Sequence, residues 1–275
     1  MRPLLPPALA LLLAAAPHVL AQDAAQATAT HPAPPAIVAV VEPKALDLLR
    51  AMSATLAAAR TLRFTAVASW ESPSLPGPAL VYFTKSEVTL QRPDKLRIVS
   101  PGDGPPFEFY YDGKTMMAYA PAEDLLAVAD APPTIDATLK AAFDAASIYF
   151  PFTDVLVADP YADMAQGLQW AFVVGRSQLV GGVPTDIVAI ANDDVFVQLW
   201  IGVKDHLPRL GRAVFRRDPS RLRQEVAFAD WRRGEAVPGD SFTTAKAASA
   251  KRIAFARPDV RLPDGAPAPK PTSPR

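Results

Sequence analysis

The sequence of 275 residues contains no cysteine. That single absence excludes disulfide bracing, a thiol nucleophile, thiolate metal ligands and a lipidated N-terminal cysteine. Stability therefore has to come from a hydrophobic core alone. Histidine is almost as scarce, with only His18, His31 and His206. His206 alone lies beyond the N-terminal segment, in the turn Asp205-His206-Leu207-Pro208, where it reads as a solvated loop residue. One histidine is a poor basis for a Ser/His/Asp triad. A Gly-rich phosphate loop, a G-x-S-x-G elbow and an H-E-x-x-H helix are all missing. Nothing in the sequence asks for a cofactor or a metal, and the chain is expected not to be an enzyme. The formal net charge is +0, which as a whole leaves no electrostatic case for nucleic acid or for anionic lipid surfaces. No apolar run reaches the roughly 18 to 20 residues that span a bilayer, so the chain is expected not to cross a membrane.

What the sequence has in excess is proline, 30 residues of 275, against a usual share of ~5%. Much of the excess lies at the two ends. At the N-terminus, Arg2 precedes the apolar run from Leu9 to Ala16, Pro17 breaks it, and Val19-Leu20-Ala21 fits the small-residue rule for signal-peptide cleavage. Residues 1–21 are thus expected to be an export signal cleaved after Ala21, which places the mature chain in the periplasm. Residues 22–41, rich in Ala, Thr and Pro, read as a flexible leader. Residues 257–275 carry Pro258, Pro263, Pro267, Pro269, Pro271 and Pro274 and read as a disordered tail. The folded domain is expected over residues 42–256, ample for one sizeable core.

Within that domain the hydrophobic period changes several times. Leu46, Leu49, Met52 and Leu56 recur at helical spacing after Pro43, a residue suited to a first helical turn. From Arg63 the period becomes two, through Phe64, Ala66, Ala68 and Trp70, and again over Leu80 to Leu90. A strand over Lys95 to Ser100 follows the Pro93-Asp94 turn. Asp112-Gly113, between Phe107–Tyr111 and Lys114–Ala120, is a strong hairpin signal. A strand near Leu125–Ala129 closes this set. A helix follows through Ile135, Leu139, Ala142, Phe143 and Ala146, then one or two short helices between Phe152 and Gln166, broken at Pro160. Strands resume at Trp170–Val174, Gln178–Val180, Thr185–Ala191, Val195–Val203, Leu207–Arg216 and Arg221–Trp231, with a last one near Ile253–Phe255. Strands joined by short turns imply antiparallel pairing, so the fold class is α+β with one large curved sheet.

The carboxylate pairs Asp193-Asp194 and Glu123-Asp124 sit at turns, and neighbouring side chains on a strand diverge, so neither reads as an acid/base or cation site. The basic cluster Phe215-Arg216-Arg217, Arg221-Leu222-Arg223 and Trp231-Arg232-Arg233 reads as a solvated turn flanking two strands, the alternative being a docking site for an acidic partner or phospholipid head groups. The aromatic residues carry more information. Phe64, Trp70, Phe83, Phe109, Met117, Phe172, Trp200 and Phe228 are spread over many strands, with Met116, Tyr119 and Phe215 among them. They fit either an ordinary core or the lining of an apolar cavity in a curved sheet capped by helices.

The order of motifs resembles a known superfamily. Leu90-Gln91-Arg92-Pro93-Asp94-Lys95-Leu96-Arg97-Ile98 is similar to the "RP…R" strand-turn-strand of the LolA/LolB lipoprotein-localisation factors. Tyr110-Tyr111-Asp112-Gly113-Lys114-Thr115, with Tyr119-Ala120-Pro121, is similar to their next hairpin. Gly181-Gly182-Val183-Pro184, Gln198-Leu199-Trp200-Ile201, Leu207-Pro208-Arg209 and Asp230-Trp231 look like a branch of periplasmic proteins of unknown function within that superfamily. The resemblance implies an unclosed antiparallel β half-barrel of about eleven strands, with helices covering its concave face. It also implies that the concave face holds an acyl chain or other apolar ligand, and that Arg92 latches the helical lid. A guanidinium suits that role, since its fixed donors can satisfy helix-end carbonyls. The function expected by analogy is a non-enzymatic carrier of an apolar ligand or a lipoprotein's acyl chain. The alternative is an envelope-protein scaffold that uses the Arg-rich hairpin and the proline-rich tail.

Overall fold

The computed structural model describes residues 40–257, apart from 76 and 103. The expected signal peptide, most of the leader and nearly all of the tail lie outside the described residues. Twelve strands form one open sheet, in the order β12-β6-β5-β4-β3-β2-β1-β11-β10-β9-β8-β7. The centre is a long hairpin, β1 (Thr61–Ser74) and β2 (Gly77–Gln91). On one side follow β3 (Lys95–Ser100), β4 (Phe107–Tyr111), β5 (Thr115–Ala120) and β6 (Leu125–Asp130). On the other lie β11 (Arg223–Arg233), β10 (Pro208–Phe215), β9 (Val195–Gly202), β8 (Thr185–Ala191) and β7 (Trp170–Ser177). All these neighbours are antiparallel, as short turns dictate. Only the last strand departs, β12 (Lys251–Ile253), which runs parallel to β6. The fold is thus an unclosed half-barrel with helices, with twelve strands where the resemblance implies about eleven.

Four helices cover one face. In α1 (Pro43–Ala58) proline occupies the first turn, and Ala45, Leu49, Met52 and Leu56 are buried. The helix α2 (Ile135–Ala146) opens with Thr134 capping Ala137 N and buries Ile135, Leu139 and Ala142. Between Phe152 and Gln166 lie α3 (Thr153–Leu156) and α4 (Pro160–Ala165). Pro160 begins α4 rather than interrupting it, because a first-turn position needs no N–H, and Asp159 caps the helix through Ala162 N.

The hairpin at Asp112-Gly113 forms as its sequence predicts. The Asp112 carboxylate accepts from Lys114 N and Thr115 N, at 2.9 and 2.8 Å. One strand assignment fails. Gln178–Val180 is not a strand; β7 continues to Ser177, and the chain then turns through Gly181 and Gly182 at φ 68° and 67°. Those left-handed angles belong to glycine and interrupt any ladder.

One core fills the space between sheet and helices, and a smaller cluster of Tyr110, Met117, Tyr119, Leu126 and Ala250 lies on the opposite face. In-register pairing fixes which side chains share a face. Phe64 pairs with Val88, and Ala66 with Phe228, all buried toward the helices. Phe83 pairs with Ser69 on the other face and is 52% exposed. Phe64→Ala is therefore expected to cost about 3–5 kcal/mol, and Phe83→Ala under about 1 kcal/mol. Urea unfolding of both variants checks this, and equal losses would contradict the assignment of faces.

Candidate functional site

The concave face is built from alternate positions on successive strands. On β1 these are Leu62, Phe64, Ala66, Ala68 and Trp70. The first four are buried, whereas Trp70 is 38% exposed. On β2 the buried Leu90, Val88 and Ser86 give way to the exposed Tyr82 and Leu80. The helical cover therefore ends part-way along the central hairpin, and an apolar mouth begins there. Trp70 stacks on Tyr82 at 6.0 Å between ring centroids. Phe215, which follows the same alternation on β10, is also exposed.

Beneath the cover, aromatic rings form a continuous line. Phe107 and Phe109 meet Phe150 at 6.4 and 5.5 Å, Phe150 stacks on Phe152 at 5.8 Å, and Phe152 stands edge-on to Phe64 at 6.0 Å. Phe64 then reaches Phe228 at 5.9 Å and stacks on Trp231 at 4.4 Å. Trp231 is placed by a bulge. The β1–β11 register shifts between Arg63 and Thr65, and Asp230 takes φ 56°. The ring turns inward, and Nε1 donates to the Pro208 carbonyl at 2.9 Å. Beside Trp231 and Phe228 a groove of ≈ 540 Å³ opens, framed by Leu207, Arg209 and Gly181.

Of the eight residues singled out from the sequence, four share this face: Phe64, Phe109 and Phe228 under the helices, and Trp70 at the mouth. The other four point the opposite way. Phe83 is on the exposed outer face of the hairpin. Met117 lies on the outer face in the second cluster, with Tyr110 and Tyr119. Phe172 pairs with Ala189, and Trp200 with Ile187 and Leu210, all on the outer side of the β7–β10 sheet. These four therefore cannot line the concave face without changing register, because one residue of slip inverts a strand. The sequence reading also left out Phe150, Phe152 and Trp231. Phe152 opens the stretch read as one or two short helices, Phe150 lies in the unassigned segment before it, and Trp231 depends on a bulge with no sequence signal of its own.

Arg92 stands at the β2–β3 corner, against the ends of two helices. Its Nη1 donates to the carbonyl of Leu156, the last residue of α3, at 2.8 Å. Next to it, the Pro93 carbonyl accepts from Ile135 N, the first residue of α2, at 3.0 Å. Nε and Nη2 of Arg92 are buried without a partner. Burial lowers its pKa from the ordinary arginine value, and the nearby Asp136 works against that shift. The carboxylate pairs do other things. Asp193 accepts from Gln169 and Asp194 pairs with Arg217, while Asp124 accepts from the Tyr119 hydroxyl. Among the described residues no three of His, Asp and Glu converge as metal ligands.

A family described as predicted periplasmic protein (DUF2092) matches residues 45–256. No curated protein matches the chain. Among solved structures, the Pseudomonas aeruginosa MucA/MucB complex is similar at 17% identity and a TM-score of 0.42, over 76% of this chain and 63% of that one. The chain thus spans less than two thirds of that neighbour's length. LprF from Mycobacterium bovis is similar at 16% identity and a TM-score of 0.43, over 72% of this chain and 97% of that one. A LolA superfamily protein from Nitrosomonas europaea is similar at 8% identity and a TM-score of 0.35, over 73% and 97%.

The Arg92 geometry generates a specific expectation. Arg92→Leu removes a charge-assisted hydrogen bond and leaves the Leu156 carbonyl without its partner, a loss of about 1–3 kcal/mol. Amides of α3 and of the first turn of α2 should then exchange about tenfold faster or more, while those of β1 to β5 keep their protection. Hydrogen exchange followed by mass spectrometry checks this. Unchanged exchange in both helices would show that the bond does not hold the cover down.

Proposed function

The chain belongs to this family of predicted periplasmic proteins, and from that premise we propose that it is a non-enzymatic binding or carrier protein for an acyl chain or other apolar ligand. The supporting observation is continuity. The aromatic line from Phe107 to Trp231 lies under the helices, and the same sheet face runs on to Trp70, Tyr82 and Leu80 in the open. In the closed form Phe150 and Phe152 fill the concave face. A ligand enters when α2 and α3 lift, slides beneath them from the mouth, and takes over the contacts those rings make. Arg92 acts as the latch in this scheme, holding α3 until the ligand's own burial compensates for the lost bond. No step requires a nucleophile or an acid/base pair.

Ligand capture is tested on protein purified from its own cell envelope, by native mass spectrometry and by titration with a fatty acid and an apolar dye. A bound apolar mass and saturable titration are expected. Trp70→Ala should weaken binding roughly tenfold, the equivalent of about 1.4 kcal/mol, with little change in stability. Consistently empty protein that binds neither probe would overturn the proposal.

A second reading, an interaction scaffold in the envelope, has one observation in its favour. β3 pairs with β2 only over Glu87–Gln91, so among the described residues most of β2 from Gly77 onward has no strand on that side. Val81 and Phe83 stand exposed on the outer face there, and Leu75 at the tip is fully exposed. An extended segment of an envelope protein would add to that edge as a strand. Replacing Val81 by proline removes a backbone donor from this stretch. Loss of a protein partner from in-cell crosslinks, with apolar ligand binding intact, would favour this reading over the carrier.

A further inference from the structure

The outer face of the sheet carries a row of polar side chains that an apolar ligand does not use. In-register pairs run Arg232–Arg63–Thr89–Arg97–Tyr110 across β11, β1, β2, β3 and β4. With neighbouring strands 4.7–4.9 Å apart, Arg63 and Arg97 start about 10 Å from each other, with Thr89 between them. The segment after β11 folds back over this row, anchored by the buried Phe242 and Thr244. It closes a groove of ≈ 490 Å³ in which Ser241 and Thr243 face Arg63, Thr89, Arg97 and Tyr110.

The charges in this groove are incompletely matched. Arg63 Nη2 donates to the Ala236 carbonyl at 3.4 Å, and its Nε is buried with no partner. Glu235 is 3.8 Å from Arg63 and 3.9 Å from Arg232, so one carboxylate is shared by two arginines at long range. No ion pair among the described residues uses Arg97. Glu108 on β4 accepts from the Tyr110 hydroxyl at 2.6 Å. Within the groove itself two guanidinium groups face one carboxylate, Asp240. The hydroxyls of Thr89 and Ser241 lie beside them.

We propose that this groove binds a phosphoryl group. Guanidinium forks match phosphate oxygens in geometry and charge. The donors approach from different sides, with Arg63 and Arg97 flanking, Thr89 below and Ser241 above, while the Thr243 hydroxyl donates to the Asp240 carbonyl at 3.2 Å. Such an arrangement suits a tetrahedral oxyanion, whereas a planar carboxylate is served by a single fork. The volume exceeds that of a bare phosphate, so the group arrives on a small phosphorylated molecule or as a lipid headgroup. The site lies on the opposite face from the aromatic line and is independent of the carrier reading.

Titration calorimetry with sodium phosphate, against sodium chloride at equal ionic strength, is the first measurement. Saturable heat is expected with phosphate and none with chloride. Arg97→Gln should weaken phosphate binding about tenfold or more while leaving the melting temperature nearly unchanged, since Arg97 holds no structural ion pair. Thr89→Val tests the floor of the groove without altering charge, and a severalfold loss is expected. Sedimentation with phosphatidylglycerol vesicles separates the sources: Arg97-dependent co-sedimentation assigns a lipid headgroup, and phosphate binding without it assigns a soluble phosphorylated molecule. Neither saturable phosphate binding nor Arg97-dependent vesicle binding, or both variants binding like the parent chain, would overturn the proposal.

Discussion

The structure depends on the edge-on contact between Phe152 of the helical cover and Phe64 of the central strand. An unclosed sheet leaves one broad apolar face to water, and a chain without disulfides has only packing with which to cover it. Phe64 is where the two layers are joined. It touches Phe152 above it, Phe228 beside it and Trp231 beyond. The bulge at Asp230 exists in the same neighbourhood because Trp231 has to leave the strict alternation of β11 to reach that ring. The cover, the bulge and the strand register are in this sense one arrangement.

An open sheet also has two edges, which have to be protected against pairing with other chains. At β7 the residues before α1 do this: Val41 bridges Ala171, and the Glu42 carboxylate accepts from Val173 N at 2.9 Å. At β6 the short parallel strand β12 does it. Among the described residues the outer half of β2 has neither device. That stretch is also where the concave face loses its helices, so unprotected backbone and exposed aromatic surface coincide at one end of the molecule.

Much of this was legible in the sequence, and the exceptions have a physical cause. The positions of α1 and α2 follow from apolar residues at 3.6-residue spacing, and the start of α1 from Pro43, all of which are local signals. Asp112-Gly113 is local in the same way. Which face a strand residue occupies is not local. The alternation gives two interchangeable faces, and only the pairing partner decides between them. Phe64 and Phe109 face the helices, while Met117 and Phe172 look equally apolar and yet face outward. Met117 is buried there because the segment returning after β11 brings Ala247 and Ala250 into its cluster, over a sequence distance of more than a hundred residues. The corner residue Arg92 was recognisable from a motif, but its acceptor on α3 was not, since a four-residue helix has almost no sequence signature of its own.

Under the proposed carrier role, the aromatic line sets a limit on how tightly an apolar ligand is held. Every ring that stabilises the closed form has to be displaced, or joined, by the ligand that replaces it. The free energy of closing is therefore subtracted from the intrinsic affinity, and a protein closed most of the time binds more weakly by its open fraction. Two features keep that subtraction small. Arg92 makes one bond to the cover and leaves Nε and Nη2 unpaired and buried, so the closed corner carries a desolvation cost that offsets part of the bond. The mouth at Trp70 and Tyr82 is already uncovered, so a ligand gains contact there before any helix moves. For the proposed carrier, entry from the mouth followed by stepwise displacement is consequently the route that this packing favours, because no stage needs the whole concave face exposed to water at once.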